Sequence, residues 1–151
     1  MRASWMRQDQ AKPEYYRENT VYPDMEDETY SSGFWVTAVL DVDIQEIFYK
    51  HIAPEIGVMP KGTVHLHGYK LTAGDHYRLH VDDRGETGFI WYLSKNWKPD
   101  WGGLLVETNE MKVTVPQFNK LVVRKANTPH LVTTVEKWAR EPRYMLVGFF
   151  S

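Results

Sequence analysis

The sequence predicts a mainly β protein, a sandwich or double-sheet jelly roll, with one helix ahead of the strands. Three observations lead there. From residue 60 onward the chain breaks into short β-branched and aromatic runs separated by Gly, Pro, Asp and Asn. Only one earlier stretch carries helical spacing. A length of 151 residues, 42% of them hydrophobic and 14% aromatic, suffices for one core without cross-links.

The elements follow in order. Residues 1–33 are polar and dotted with aromatics, with an acidic cluster from Asp24 to Glu28 and a closing Ser-Ser-Gly. They read as an irregular arm lying over the core; the alternative is a lid over a substrate. Residues 34–151 form the domain proper, led by a helix at about 43–53. Asp43 is its candidate N-cap, and Ile44, Ile47, Phe48, His51 and Ile52 recur at helical intervals. Pro54 and Gly57 end it, and His51 falls on or beside the apolar stripe in a structural role. Eight strands follow: TVHLHGYKL, HYRLHV, TGFIWYLS, GLLVE, MKVTV, KLVVRK, HLVTTV and RYMLVGFF. There is no internal repeat and no second domain.

Composition removes several function classes. The chain has no cysteine, so disulfides, thiolate metal sites and thiol nucleophiles are excluded. Eighteen basic against 20 acidic residues, with no basic stripe, argue against a nucleic-acid partner. No apolar run reaches the length of a membrane span, and the N-terminus lacks a signal-peptide core. A cytoplasmic location fits these features. Oligomeric state is not legible.

Histidines carry the chemical signal. Four of six lie between residues 65 and 80, and His130 opens a later strand after a proline. In His80-Val81-Asp82, strand alternation puts His80 and Asp82 on one side of the sheet. Two histidines and one carboxylate on one face, with open positions, suit a first-row divalent metal such as Fe(II). A His-x-Asp pair alone is more often sheet decoration than a ligand set. His65 and His67 form a rival pair, but no carboxylate follows at short range; Lys70 and Leu71 stand there instead. They read as ordinary strand residues near a pocket.

Taken together, HVDD…FIWYLSKNWKPDWGGLLVE…FNKLVVRKANTPHLVTTV…RYMLVGFF resembles the Fe(II)- and 2-oxoglutarate-dependent oxygenases of the prolyl 4-hydroxylase type. The resemblance covers roughly residues 63 to 150. It rests on the His-x-Asp pair, a Tyr-Leu before KNW, the Gly102-Gly103-Leu104-Leu105 run, His130, and the Arg-Tyr opening the last strand.

That resemblance implies a double-stranded β-helix (jelly roll) in which His80, Asp82 and His130 hold Fe(II) and carry catalysis, with 2-oxoglutarate and O₂ as co-substrates. The carboxylate at Asp82 favours hydroxylation over halogenation, since halogenating relatives generally carry a small residue there. Either Arg140 or Arg143 would bind the distant 2-oxoglutarate carboxylate; Arg143 is preferred because it heads the final strand. Tyr92, and with less weight Tyr69 and Tyr77, would line the co-substrate pocket. Leu105 and Val147 would pack on its methylenes.

Some residues depart from the family pattern. Val147 stands where many relatives have Ser or Thr. Gly85, beside Arg84, replaces an arginine common in peptidyl-proline hydroxylases, and Phe149 replaces a later aromatic that is often Trp. The expected activity is hydroxylation of an unactivated C–H bond, of a prolyl residue in a peptide or protein, with a free amino acid or small metabolite as the alternative. Outside catalysis, the alternatives are a silent β-helix domain that binds a partner or senses 2-oxoglutarate, and a binding module presenting Trp97 and Trp101.

Overall fold

All eight of these alternating runs form strands in the computed structural model, which describes residues 6–8, 34–38, 42–57, 65–82 and 87–150. They are β3 (His65–Leu71), β4 (Tyr77–His80), β5 (Thr87–Tyr92), β6 (Leu105–Glu107), β7 (Lys112–Thr114), β8 (Leu121–Lys125), β9 (His130–Val132) and β10 (Arg143–Phe150). Two short strands precede them, β1 (Met6–Gln8) and β2 (Phe34–Ala38). Met6–Gln8 is thus not irregular: it pairs antiparallel with β2. The rest of the arm, like Arg84 and Gly85, lies outside the described residues.

The strands form two antiparallel sheets, one of six strands in the order β1-β2-β3-β10-β5-β8 and one of four in the order β4-β9-β6-β7. From β3 to β6, and again from β7 to β10, each strand crosses to the opposite sheet. Two sheets bridged in this way, with only the β6–β7 hairpin staying within one sheet after β3, are the double-stranded β-helix expected from the sequence.

Register decides what each face holds. Opposite Tyr69 lies Met145; opposite Val147 lie His67 and Ile90; Ile90 in turn faces Val122. Side chains alternate along a strand, so these residues share the face turned toward the smaller sheet. There Leu71, Ile90, Tyr92, Leu105, Val122, Val132, Val135 and Met145 form one core. The other face of the large sheet carries Leu66, Phe89 and Phe150, which pack with Phe48 and Ala53 into a second core.

That second core seats the helix, and its phase corrects the sequence reading. Helix α1 (Val42–Ile47) passes into a π-helical turn (Phe48–Ile52) and then α2 (Ala53–Glu55). Asp43 is therefore inside the first turn, not the N-cap, and Pro54 sits within the helical segment instead of ending it. The wider turn closes with the Ala53 N–H donating to Phe48 O. It ends where Pro54 has no N–H to give and its ring would crowd an α-helical carbonyl one turn back. Wider spacing rotates the stripe: Ile44, Phe48, Tyr49, Ile52, Ala53 and Ile56 face the sheet, while Ile47 and His51 are exposed. His51 thus plays no part in the core. Among the described residues no helix is long and apolar enough to cross a membrane.

Candidate active site

Between the two sheets, β4 and β9 bring histidines side by side. His80 pairs with His130 in the β4–β9 ladder, and their rings lie 4.1 Å apart between centroids. Asp82 joins them by a different route from the one expected. The strand stops at His80, so alternation does not carry through to residue 82. Instead the Asp82 N–H donates to Ala126 O at 3.3 Å, which turns the carboxylate back over both rings. Asp82 Oδ1 then lies 3.6 Å from His80 Nε2, and Oδ2 lies 3.4 Å from His130 Nε2. One ligand atom from each residue falls within 4.8 Å of the others, and these three form the one such group among the described residues that could hold a metal ion.

Each imidazole is oriented through its other nitrogen. His80 Nδ1 lies 2.7 Å from Arg78 O, and His130 Nδ1 lies 2.9 Å from Thr128 O. With the proton on Nδ1, both rings donate to these carbonyls and turn the Nε2 lone pairs toward Asp82. Burial holds His130 well below the usual histidine range, at about 3, with His80 and Arg124 adding to the shift. Burial also pushes the Asp82 carboxyl up, but His80, His130 and Arg124 together outweigh it and hold the group below its ordinary value. At neutral pH His130 is a neutral imidazole beside an ionised Asp82 carboxylate, the protonation state that divalent metals require.

This arrangement makes the metal-free protein sensitive to acid. An unfolded histidine takes up a proton near pH 6.5, whereas folded His130 resists until about 3. Between those values the unfolded chain binds more protons, so stability falls as pH falls, by at most about 1.4 kcal/mol per pH unit from this group. Asp82, with its lowered folded value, acts in the same direction below the ordinary carboxylate range. Denaturant unfolding at pH 7 and pH 5 should show the loss, and His130→Leu should flatten it. An unchanged slope in that variant would assign the acid sensitivity to other groups.

Deeper between the sheets lies Arg143, fully buried at the head of β10. Its Nη1 contacts Met145 Sδ at 2.6 Å, its Nη2 reaches the Tyr92 hydroxyl at 3.5 Å, and its Nε has no hydrogen-bond partner. No carboxylate of the described residues pairs with it. Burial pulls its pKa down, with Tyr92 and Tyr77 opposing, while burial pushes the Tyr92 phenol up. A buried guanidinium with idle donors is costly to maintain and matches a carboxylate in geometry and charge. Arg140, by contrast, is exposed in the preceding turn.

Two sequence features hold this arginine in place. Ser94 Oγ donates to Pro142 O at 2.8 Å and accepts from the Tyr144 N–H at 2.7 Å, bracketing Arg143 on both sides. Gly103 lies against the side chain itself: a Cβ there would meet Arg143 Cδ at 2.7 Å, and its φ of 61° already disfavours other residues. Leu105 is fully buried in the inner core, and Tyr69, Tyr77 and Val147 pack half-buried against it. His67 is half-buried on the same face of β3, its ring 6.3 Å from that of Tyr69, and is outside the metal-binding group.

Two participants escaped the sequence reading, Arg124 and Glu107. Both are buried and face inward, Arg124 two residues after Val122 on β8 and Glu107 two after Leu105 on β6. Arg124 donates to Asp82 Oδ2 at 3.1 Å, Glu107 Oε1 at 3.2 Å and Thr128 O at 2.6 Å. Inward charges of opposite sign on facing strands were the available signal.

Comparison with known proteins agrees with this geometry. Residues 64–151, more than half the chain, match the model of the 2OG-Fe(II) oxygenase superfamily. The fold is similar to that of a Pseudomonas putida prolyl-4-hydroxylase, with TM-score 0.66 and 18% identity over 98% of this chain and 92% of that one. It is also similar to a Paramecium bursaria Chlorella virus-1 collagen prolyl hydroxylase bound to 2OG, with TM-score 0.64 and 11% identity over 95% and 93% of the two chains. A 2OG-Fe(II) oxygenase-family oxidoreductase from Burkholderia pseudomallei gives TM-score 0.64 and 15% identity over 78% and 68%. No curated protein matches the chain.

Proposed function

Because the chain belongs to the 2OG-Fe(II) oxygenase superfamily, we propose that it hydroxylates an unactivated C–H bond, with a prolyl residue of a peptide or protein as the preferred substrate. The observation that carries the catalytic reading is the presence of two unlike buried sites on the two facing sheets. His80 and His130, the latter held neutral by burial, beside an ionised Asp82 suit a divalent metal, and the buried Arg143, which no carboxylate of the described residues pairs with, suits a dicarboxylate.

Fe(II), 2-oxoglutarate and O₂ together supply the oxidation, placing one oxygen atom on the substrate and leaving succinate and CO₂. The protein's part is positioning. His80, Asp82 and His130 would hold the metal from one side, leaving its other positions to co-substrate and O₂. Arg143 would pair with the far carboxylate of 2-oxoglutarate, with the Tyr92 hydroxyl beside it. Leu105 and Val147, with Tyr69 and Tyr77, would enclose the methylenes and keep water from them. A carboxylate ligand at Asp82 leaves no room for a halide, so hydroxylation is the favoured outcome.

The prolyl assignment is supported by the likeness in fold to two prolyl hydroxylases. The departures at Gly85 and Phe149 support a second reading, hydroxylation of a free amino acid or small metabolite. Iron-loaded protein incubated with 2-oxoglutarate and either proline-containing peptides or free amino acids should form succinate in step with an added oxygen on one class. Oxygen on free amino acids alone would favour the second reading. Succinate with no substrate class modified would leave only uncoupled turnover.

A further inference from the structure

The guanidinium of Arg124 contacts two of the three metal-binding residues, Asp82 and His130. Nη1 donates to Asp82 Oδ2, the oxygen turned toward His130. Nη2 donates to Thr128 O, the carbonyl that also faces His130 Nδ1, and lies 2.7 Å from that nitrogen. Nε donates to Glu107 Oε1, and Glu107 lies opposite His130 in the β6–β9 ladder. Arg124 is 7% exposed and Glu107 7%, so neither charge is shielded by solvent. A planar fork with fixed donors is suited to such a three-way task, and a lysine ammonium is not.

We propose that Arg124, held in place by Glu107, is the positioning residue for iron: it retains Asp82 Oδ2 so that Asp82 offers the metal Oδ1 alone, and it fixes His130 through Thr128 O. The inference rests on the reading of His80, Asp82 and His130 as ligands. Three consequences follow from the contacts. A carboxylate with one oxygen retained binds through a single atom and leaves a metal position open. An arginine on that second oxygen also draws charge from the ligand, which lowers its donation to the metal. And because Glu107 balances Arg124, the pair fixes geometry without adding net charge beside a divalent ion.

Replacing both residues by apolar ones of similar length tests this, because removing a buried pair together leaves neither charge stranded. Arg124→Met/Glu107→Met should remain folded, as read by circular dichroism and thermal unfolding of the metal-free protein. Its Mn(II) affinity, read from the free-ion electron paramagnetic resonance signal, should fall roughly 10- to 100-fold, as when the partners of metal ligands are lost elsewhere. Where Fe(II) and 2-oxoglutarate still bind without oxygen, their visible charge-transfer band should move to longer wavelength, since a more electron-rich Asp82 raises the metal levels. Arg124→Lys, which keeps the charge, should show a smaller fall of the same sign and decides the matter if the double variant does not fold. Mn(II) binding within threefold of wild type and an unmoved band would overturn the role of Arg124 while leaving the ligands intact. No Mn(II) binding by folded wild-type protein would overturn the ligand reading itself, and the proposal with it.

Discussion

His80→Ala is expected to abolish turnover while leaving the metal-free protein folded. His80 is buried but lies beside Asp82, whose side chain is 24% exposed, so water can enter the space the ring vacates. The hydrogen bond to Arg78 O is lost with the ring, a cost of about 1 kcal/mol. The metal loses one of three ligands. A bound metal supplies several kcal/mol of activation, and at about 1.4 kcal/mol per tenfold its loss is on the order of a thousandfold or more in rate. Thermal unfolding with and without added metal separates the two effects. At a hundred times its dissociation constant the metal should stabilise wild type by about 2.7 kcal/mol and the variant not at all. A variant that still turned over, or still gained stability from metal, would mean that the ligands lie elsewhere.

The strands were readable because most obey one rule. On β5, β8 and β10 the residues facing the smaller sheet alternate with those facing the helix or solvent, and Gly, Pro or Asn marks the turns. The same rule hid the most informative pair. Val122 and Arg124 share an inward face, as do Leu105 and Glu107, but burial of charge is the exception to hydrophobic alternation and shows itself only when facing strands are paired. Asp82 was assigned to the right cluster for an incomplete reason. Its place depends on a backbone bond to Ala126, more than forty residues away, and no local spacing encodes that. The helix was found but its phase was not, because a π-helical turn breaks the 3.6-residue period that identified it. β2 was missed as a strand since its pairing with β3, not its five residues, makes it one.

Arg143→Met should move stability and binding in opposite directions. A guanidinium at 0% exposure, with Nε unpaired and, among the described residues, a thioether and a phenol for its Nη partners and no carboxylate, is a charge the fold tolerates without using. Methionine has similar length and no polar demand, and it can fill the channel beside Met145. Apolar replacement of buried charged groups is often stabilising by about 1–4 kcal/mol, which at this chain length raises the unfolding midpoint by roughly 2–4 °C per kcal/mol. Binding of 2-oxoglutarate should meanwhile weaken, because truncating one partner of a buried charge pair costs about 2–5 kcal/mol, or roughly 30- to several-thousandfold. Unfolding of the metal-free variant gives the first quantity, and anaerobic 2-oxoglutarate titration of the metal-loaded variant gives the second. Arg143→Lys should fall between, keeping the charge but not the fork. An arginine that merely supported the core would do the reverse, losing stability on replacement and leaving co-substrate affinity unchanged. Gain of stability with loss of binding is the signature of a residue kept for its ligand at the expense of the fold.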